Sequence, residues 1–347
     1  MFAMFGATIL VPILVNSYFG EDVLHVQVTL ICAGVGTLLF HFCSKGKVPA
    51  FLGSSFAFLG GFATISKLNT GAFANISNAE KLSYACGGIL VAGLLYLVLA
   101  LIIRLIGVKK GYAFSSPCCN RPDYHLYRSE SGRLRCQQCL HKLAACLYRT
   151  CNHRCFPISG ARACLRLSPI LMGVVISYIA ALIFNAMGMT NADGSAILNF
   201  TNITAAPMVG VPEFSLCKFN ISAILVMAPI ALASMMEHIG DMSAISATVG
   251  ENLIEDPGLH RTLIGDGLAT SLSALVGGPA NTTYGENTGV LELSKVHDPK
   301  VIRIAAVYAI ILSFIPKMAE VIGSMPLCDY RRCQLHAVWY DFRNRRA

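Results

Sequence analysis

The chain has 347 residues, of which 54% are hydrophobic and 13% charged, and its mean hydropathy is +0.59. A soluble surface does not tolerate that composition, so ordinary soluble enzymes are excluded and an all-α polytopic membrane protein is expected. The net charge of +8 does not indicate a nucleic-acid partner, because it is concentrated: residues 112–166 hold nine Lys or Arg against two acids, residues 327–347 hold five against two, and the remainder is slightly acidic.

In chain order, apolar runs near the length of about 17 to 25 residues needed to cross a bilayer fall at 2–15, 26–43, 89–106, 170–184, 221–234, 263–276 and 301–315. Several are short or broken by Gly and Pro. Such breaks are tolerated in lipid only where the irregular backbone is buried in protein or lines a cavity, which points to a transporter or channel. Lys45 and Lys47 after the second run, and Arg104, Lys109 and Lys110 after the next, mark cytoplasmic loops. On the same pattern residues 191–218 face outward and residues 251–261 form a cytoplasmic loop. His25, His41 and His260 lie near run ends and are expected to be solvated.

Two polar features interrupt the later runs. Glu237 and Asp241 are four residues apart, so a helix puts both on one face; two carboxylates there are costly in lipid and functional by default. His238 turns about 100° away from that face and is expected to pack or hydrogen-bond rather than hold a ligand. The run TTYGENTGV, 282–290, cannot be a lipid-facing helix, because its Gly, Asn and Thr favour a break and its carboxylate would meet hydrocarbon. It predicts a short extended stretch over 279–285 followed by a half-helix from about Glu286.

The two basic segments also carry ten of the fourteen Cys. Cys136 and Cys139, with Cys151, His153 and Cys155 further on, have a spacing that could close a tetrahedral zinc site. Against that, Cys118, Cys119, Cys146 and Cys164 are left over, and the block lacks the alternating apolar pattern of a small ribbon. No nucleophile and base pair or phosphate-binding loop appears, so no enzyme is expected.

Five motifs in order, FAMFGATILVP (2–12), KVPAFLGSSFAF (47–58), EHIGD (237–241), DPGLHRTLIGDGLAT (256–270) and NTTYGENTGV (281–290), resemble the nucleobase/ascorbate transporter family, with wording nearest its bacterial uracil branch. The resemblance covers roughly residues 2–110 and 168–326 and fails in the basic segments. It implies a seven-plus-seven inverted-repeat transporter with core and gate domains and two short antiparallel midplane β-strands, from 52–58 and 279–285, each leading into a half-helix whose positive N-terminus faces the substrate. Residues 1–110 would then be spans one to four, 111–167 spans five and six, 168–326 spans seven to eleven with the substrate site, and 327–347 a tail.

Where the family has its fifth span, a one-nucleotide shift of the codons for 113–132 can spell RFLPPVVTGPIIICIGLNLA, and the same shift of 328–343 can spell AIIGGVSFMLYGMISA. The basic segments are therefore read as frameshifted and the zinc spacing as a decoy, so no metal is expected. With a late start at Met1 and no twelfth to fourteenth spans, the fold would be incomplete and the translated product inactive.

By resemblance, Glu237 and Glu286 hold the base, Tyr284 and Gly285 offer backbone groups beside it, Phe56 stacks on its face, and Ser55 and Ala7 line the pocket. Asp241 or Glu237 carries the coupling proton, although the best-known member of the family's uracil branch has His where this chain has Asp241. The implied activity is proton-coupled uptake of uracil by alternating access in the inner or plasma membrane, with no cofactor, the lipid bilayer as its surroundings and a homodimer as its assembly. The alternatives are a xanthine or purine permease of the same family, or a membrane protein with a zinc-binding insert.

Overall fold

The computed structural model describes residues 2–69, 73, 74, 76–106, 207–317 and 320, together with 179, 182, 183 and 185; side chains of residues 2–7, 286 and 293 are outside that description. The chain divides into two compact units, residues 1–121 with 206–323 and residues 122–205 with 324–347. Nearly all described residues belong to the first. The Cys-rich segment, the zinc spacing and the tail lie outside the described residues.

The first unit is mostly helical: α1 (Phe2–Phe19), α2 (Val26–Cys43), β1 (Leu52–Ser54), α3 (Leu59–Lys67), α4 (Asn78–Ile106), α5 (Ile221–Val249), α6 (Leu259–Leu275), β2 (Asn281–Thr283), α7 (Gly285–Ser294) and α8 (Pro299–Ser313). Among the described residues, α2, Asn78–Leu105 and α5 are long and apolar enough to cross a membrane. The end of α1 is fixed by Asn16, whose Oδ1 accepts from Leu24 N at 2.8 Å and whose Nδ2 donates to Leu24 O at 3.1 Å, folding the chain back into α2. Asn220 caps α5 by accepting from Ser222 N, and Asp298 caps α8 by accepting from Lys300 N, the arrangement by which a side-chain oxygen satisfies an orphan amide of the first turn.

Helices in lipid gain little from the hydrophobic effect on packing together, so close approach through small residues has to supply the contact. The α4 to α6 contact, the most extensive between helices here, shows this directly. A Cβ on Gly93 would stand 2.8 Å from Gly267 O, and one on Gly267 would stand 2.8 Å from Gly93 O. The two backbones touch because neither residue has a side chain. Large side chains fill the space beside them: Tyr96, Phe40, Phe58 and Phe62 are all fully buried.

Three sequence expectations need correction. The fifth apolar run was expected to end at 234, but α5 continues to Val249 and carries Glu237 and Asp241 within it, because the carboxylates face protein rather than lipid. The loop expected over 251–261 is shorter, since a helical turn at Ile254–Gly258 runs directly into α6 at Leu259. His41 is buried, not solvated: its Nε2 donates to Ala50 O at 2.9 Å, since the chain after α2 folds back over the helix end. His25, by contrast, is 43% exposed, as expected.

Candidate functional site

β1 and β2 pair antiparallel across the unit, Leu52 opposite Thr283, Gly53 opposite Thr282 and Ser54 opposite Asn281. The two strands expected from 52–58 and 279–285 are therefore present. Each precedes a short helix, α3 or α7. A two-stranded ribbon inside a membrane protein leaves backbone groups on both outer edges that no water can reach, and each must find a partner. Side chains from the surrounding helices supply them. Thr37 Oγ1 of α2 accepts from Leu52 N at 2.9 Å, Thr270 Oγ1 of α6 donates to Asn281 O at 2.6 Å, and Tyr284 OH donates to Ser54 O at 3.0 Å. Asn281 Nδ2 donates to Cys32 O at 2.9 Å, Ser54 Oγ donates to Thr8 O at 2.9 Å, and Ser55 N donates to Ala280 O at 2.8 Å.

Gly53 is what lets the ribbon lie flat against α7. A Cβ there would stand 2.3 Å from Tyr284 Cε2, well inside contact distance. Tyr284 is accordingly buried beneath the strands, with its backbone at the entry to α7.

Once these bonds are counted, several buried polar atoms of the strands and the residues around them have no protein partner among the described residues: Asn281 Oδ1 and Thr282 Oγ1 of β2, Ser55 Oγ just after β1, and Thr288 Oγ1 in α7. A buried hydroxyl or amide left in that state points to a polar guest. Ser55, one of the expected pocket residues, is 1% exposed. Phe56 is half-buried and packs against the core. Ala7 lies on α1 with its side chain outside the description.

Of the α5 carboxylates, Asp241 reaches the crossing at β2. Glu237 and Asp241 are both half-buried on one helix face. Asp241 Oδ2 accepts from Thr283 Oγ1 at 3.0 Å, and a Cβ on Gly285 would stand 3.0 Å from Asp241 Oδ1. The first turn of α7 thus approaches Asp241 closely, and its positive end favours a negative charge there. Glu286 is the second residue of that helix, with its side chain outside the description; Gly285 is exposed.

Beneath Asp241 lies a group that sequence reading missed. His238 and Asp266 of α6 are both fully buried, with His238 Nδ1 3.3 Å from Asp266 Oδ2 and 3.4 Å from Thr283 Oγ1. Hydrogen bonds therefore link Asp241, Thr283 and His238 between α5 and β2, and Asp266 of α6 stands beside the imidazole with neither carboxylate oxygen hydrogen-bonded among the described residues, so the four line up as a polar path. Phe40 closes one side of the imidazole edge-on, its ring centroid 6.2 Å away. The hydroxyl of Tyr96 is within electrostatic reach of Asp266 and Glu237. His238 is buried and bonded, as expected, yet it belongs to this path. Asp266 was not singled out in the sequence, although a carboxylate inside the run expected over 263–276 is the signal that could have flagged it.

Among known proteins, a profile described as "Permease family" matches residues 1–113 and 139–328. The chain is 35% identical over 342 residues to the uracil permease of Bacillus caldolyticus, spanning 94% of this chain and 72% of that protein. It is 32% identical over 346 residues to the uracil permease of Bacillus subtilis, with 94% and 72% covered. A solved structure, the transmembrane domain of a cyanobacterium bicarbonate transporter, superposes with a TM-score of 0.55 at 15% identity, covering 94% of this chain and 85% of that one; at that identity the likeness concerns the fold alone. Family and relatives are permeases rather than enzymes. The chain is a multi-pass membrane protein and belongs to this permease family, the nucleobase/ascorbate transporters.

Proposed function

We propose that the chain is a uracil permease, with the base held at the crossing of β1 and β2. The observation that carries the reading is the juxtaposition of two kinds of group there: buried polar atoms without a protein partner among the described residues, on β2 and just after β1, and the Asp241 carboxylate of α5, which accepts from Thr283 of β2. A planar base with alternating N–H and C=O groups needs that mixture of donors and acceptors. The relatives named as uracil permeases support uracil as the base.

In this proposal Glu237 and Glu286 accept from the ring N–H groups, the backbone at Tyr284 and Gly285 meets the carbonyls, Phe56 stacks on the ring, and Ser55 and Ala7 line the pocket. Asp241 takes up and releases the coupling proton, with Glu237 as the other acid of the same face. His238 and Asp266 extend the path along which that proton can be shared, since Thr283 Oγ1 lies between Asp241 and the imidazole. No cofactor is needed beyond the proton.

A seven-plus-seven inverted repeat with core and gate domains, working by alternating access, is part of the same proposal, as is assembly as a homodimer. It also includes the reading of residues 112–166 and 327–347 as out-of-frame spans. Resequencing of the gene across those codons tests this last point: single-nucleotide slips that restore FLPPVVTGP and GGVSFMLYG support it, and an intact frame defeats it. Substrate identity is tested by competition in an uptake assay. Excess uracil should suppress labelled uracil uptake, and stronger suppression by xanthine would overturn the assignment.

A further inference from the structure

A second polar feature lies away from the strand crossing, where the ends of α2, α4 and α6 meet. Cys43, Arg104, His260, Arg261 and Ile264 line a cleft of about 290 Å³ there. His260 is within electrostatic reach of both guanidinium groups, and its buried Nδ1 has no protein partner among the described residues. Among the described residues no carboxylate lines the cleft. The nearby acid, Asp256, is already engaged by Lys47, which holds its carboxyl below the usual range. Lys45 and Arg261 also act on Asp256, so this end of the unit gathers Lys45, Lys47, Arg104 and Arg261 and is the cytoplasmic end by the positive-inside rule.

We propose that this cleft binds a phosphate group, and that the phosphate is the headgroup of an anionic lipid of the inner leaflet. The two guanidinium groups supply planar forks of donors suited to phosphate oxygens, and the imidazole supplies a third donor. The lipid source is favoured by what adjoins the cleft. Leu94, Val98, Leu101 and Leu105 of α4 are 46%, 53%, 55% and 77% exposed, and their spacing puts them in one stripe along the helix that ends beside Arg104. Phe42, next to Cys43, is 84% exposed. An acyl chain lying along that stripe would bring its headgroup to the basic cleft, an arrangement typical of basic pockets between spans at the cytoplasmic side.

The test uses the full chain purified in mild detergent and examined by native mass spectrometry with phosphatidylglycerol, phosphatidylcholine and inorganic phosphate as separate probes. Phosphatidylglycerol should be retained in preference to phosphatidylcholine, and Arg104→Gln/Arg261→Gln should weaken it about thirtyfold, near fivefold for each charge lost. Arg104→Lys/Arg261→Lys should keep most of the binding, which separates lost charge from lost fold. Leu101→Gln/Leu105→Gln should weaken the lipid while leaving both Arg in place. Undiminished phosphatidylglycerol binding by the double Gln variant would overturn the site. Displacement of the lipid by inorganic phosphate, with Leu101→Gln/Leu105→Gln unchanged in affinity, would overturn the lipid as its source.

Discussion

His238 Nδ1 stands 3.3 Å from Asp266 Oδ2, and both side chains have 0% exposure. Burying an acid and an imidazole together is expensive unless each satisfies the other, and removing one partner leaves the second stranded. Asp266→Ala should therefore destabilise the protein by about 3 kcal/mol, measured by thermal unfolding in detergent, whereas Asp266→Asn keeps the shape and loses the acid. If the polar path from Asp241 to Asp266 shares the coupling proton, Asp266→Asn should lower uptake more than about tenfold and flatten its pH dependence, a loss within the range of one general acid or base. A variant that keeps normal uptake with an unchanged pH profile would remove Asp266 from the path.

The ribbon and α7 are locked together through Gly53 and Tyr284. Because an added Cβ would stand 2.3 Å from the Tyr284 ring, Gly53→Ala should cost about 1 to 3 kcal/mol as an overpacked site and push Tyr284 off Ser54 O. Tyr284→Phe keeps the ring and loses the hydroxyl's bonds to Ser54 O at 3.0 Å and Ser54 Oγ at 3.2 Å, so it should cost about 1 to 2 kcal/mol. Melting temperatures of the two variants compare them directly; equal losses would mean that the close approach is not what constrains this residue.

Thr37 tests the edge of the ribbon. Thr37→Val preserves volume but removes the acceptor for Leu52 N, leaving a buried amide unpaired at a cost of about 1 to 3 kcal/mol. Thr37→Ser should restore most of the stability. Equal stability of Thr37→Val and the native chain would show that Leu52 N finds another partner.

The contact between Lys47 and Asp256 lies outside the spans and is exposed. Lys47 lowers the Asp256 carboxyl pKa, so the contact contributes fully above the ordinary carboxylate range and is lost as pH falls through the lowered value. Between pH 6 and 8 it should not change. Hydrogen exchange around the loop after α5, compared in native and Lys47→Gln protein, should show protection that differs near neutrality and converges in strong acid. Convergence at neutral pH would show that the pair does not hold the loop.

Where an element was legible in the sequence, a single physical rule dominated it. The second apolar run coincides with α2 at both ends, because it is bounded by His25 and by a polar, Gly-containing turn. The second strand was legible from a polar run that no lipid-facing helix could carry, whereas the first, in the largely apolar 52–58, was implied only by the family resemblance. Other features were concealed by competing signals. Glu237 and Asp241 lie beyond the run expected to end at 234, yet α5 passes through both, and Asp241 meets Thr283 of β2. Gly265 and Gly267 lie inside the run expected over 263–276, and their role is close packing: a Cβ on Gly265 would stand 3.0 Å from the Phe40 ring, and Gly267 abuts Gly93. His41 carried no sign of burial, since only the returning segment at Ala50 covers it.

Uptake of labelled uracil is the most direct test of the central claim. Cells lacking uracil transport would express the chain with residues 112–166 and 327–347 restored to the alternative frame, beside Glu237→Ala and Glu286→Ala in the same background. The account predicts uracil uptake by the restored chain and its loss in both variants, each still found in the membrane fraction. Uptake that survives both substitutions would contradict the placement of the base between α5 and the strand crossing.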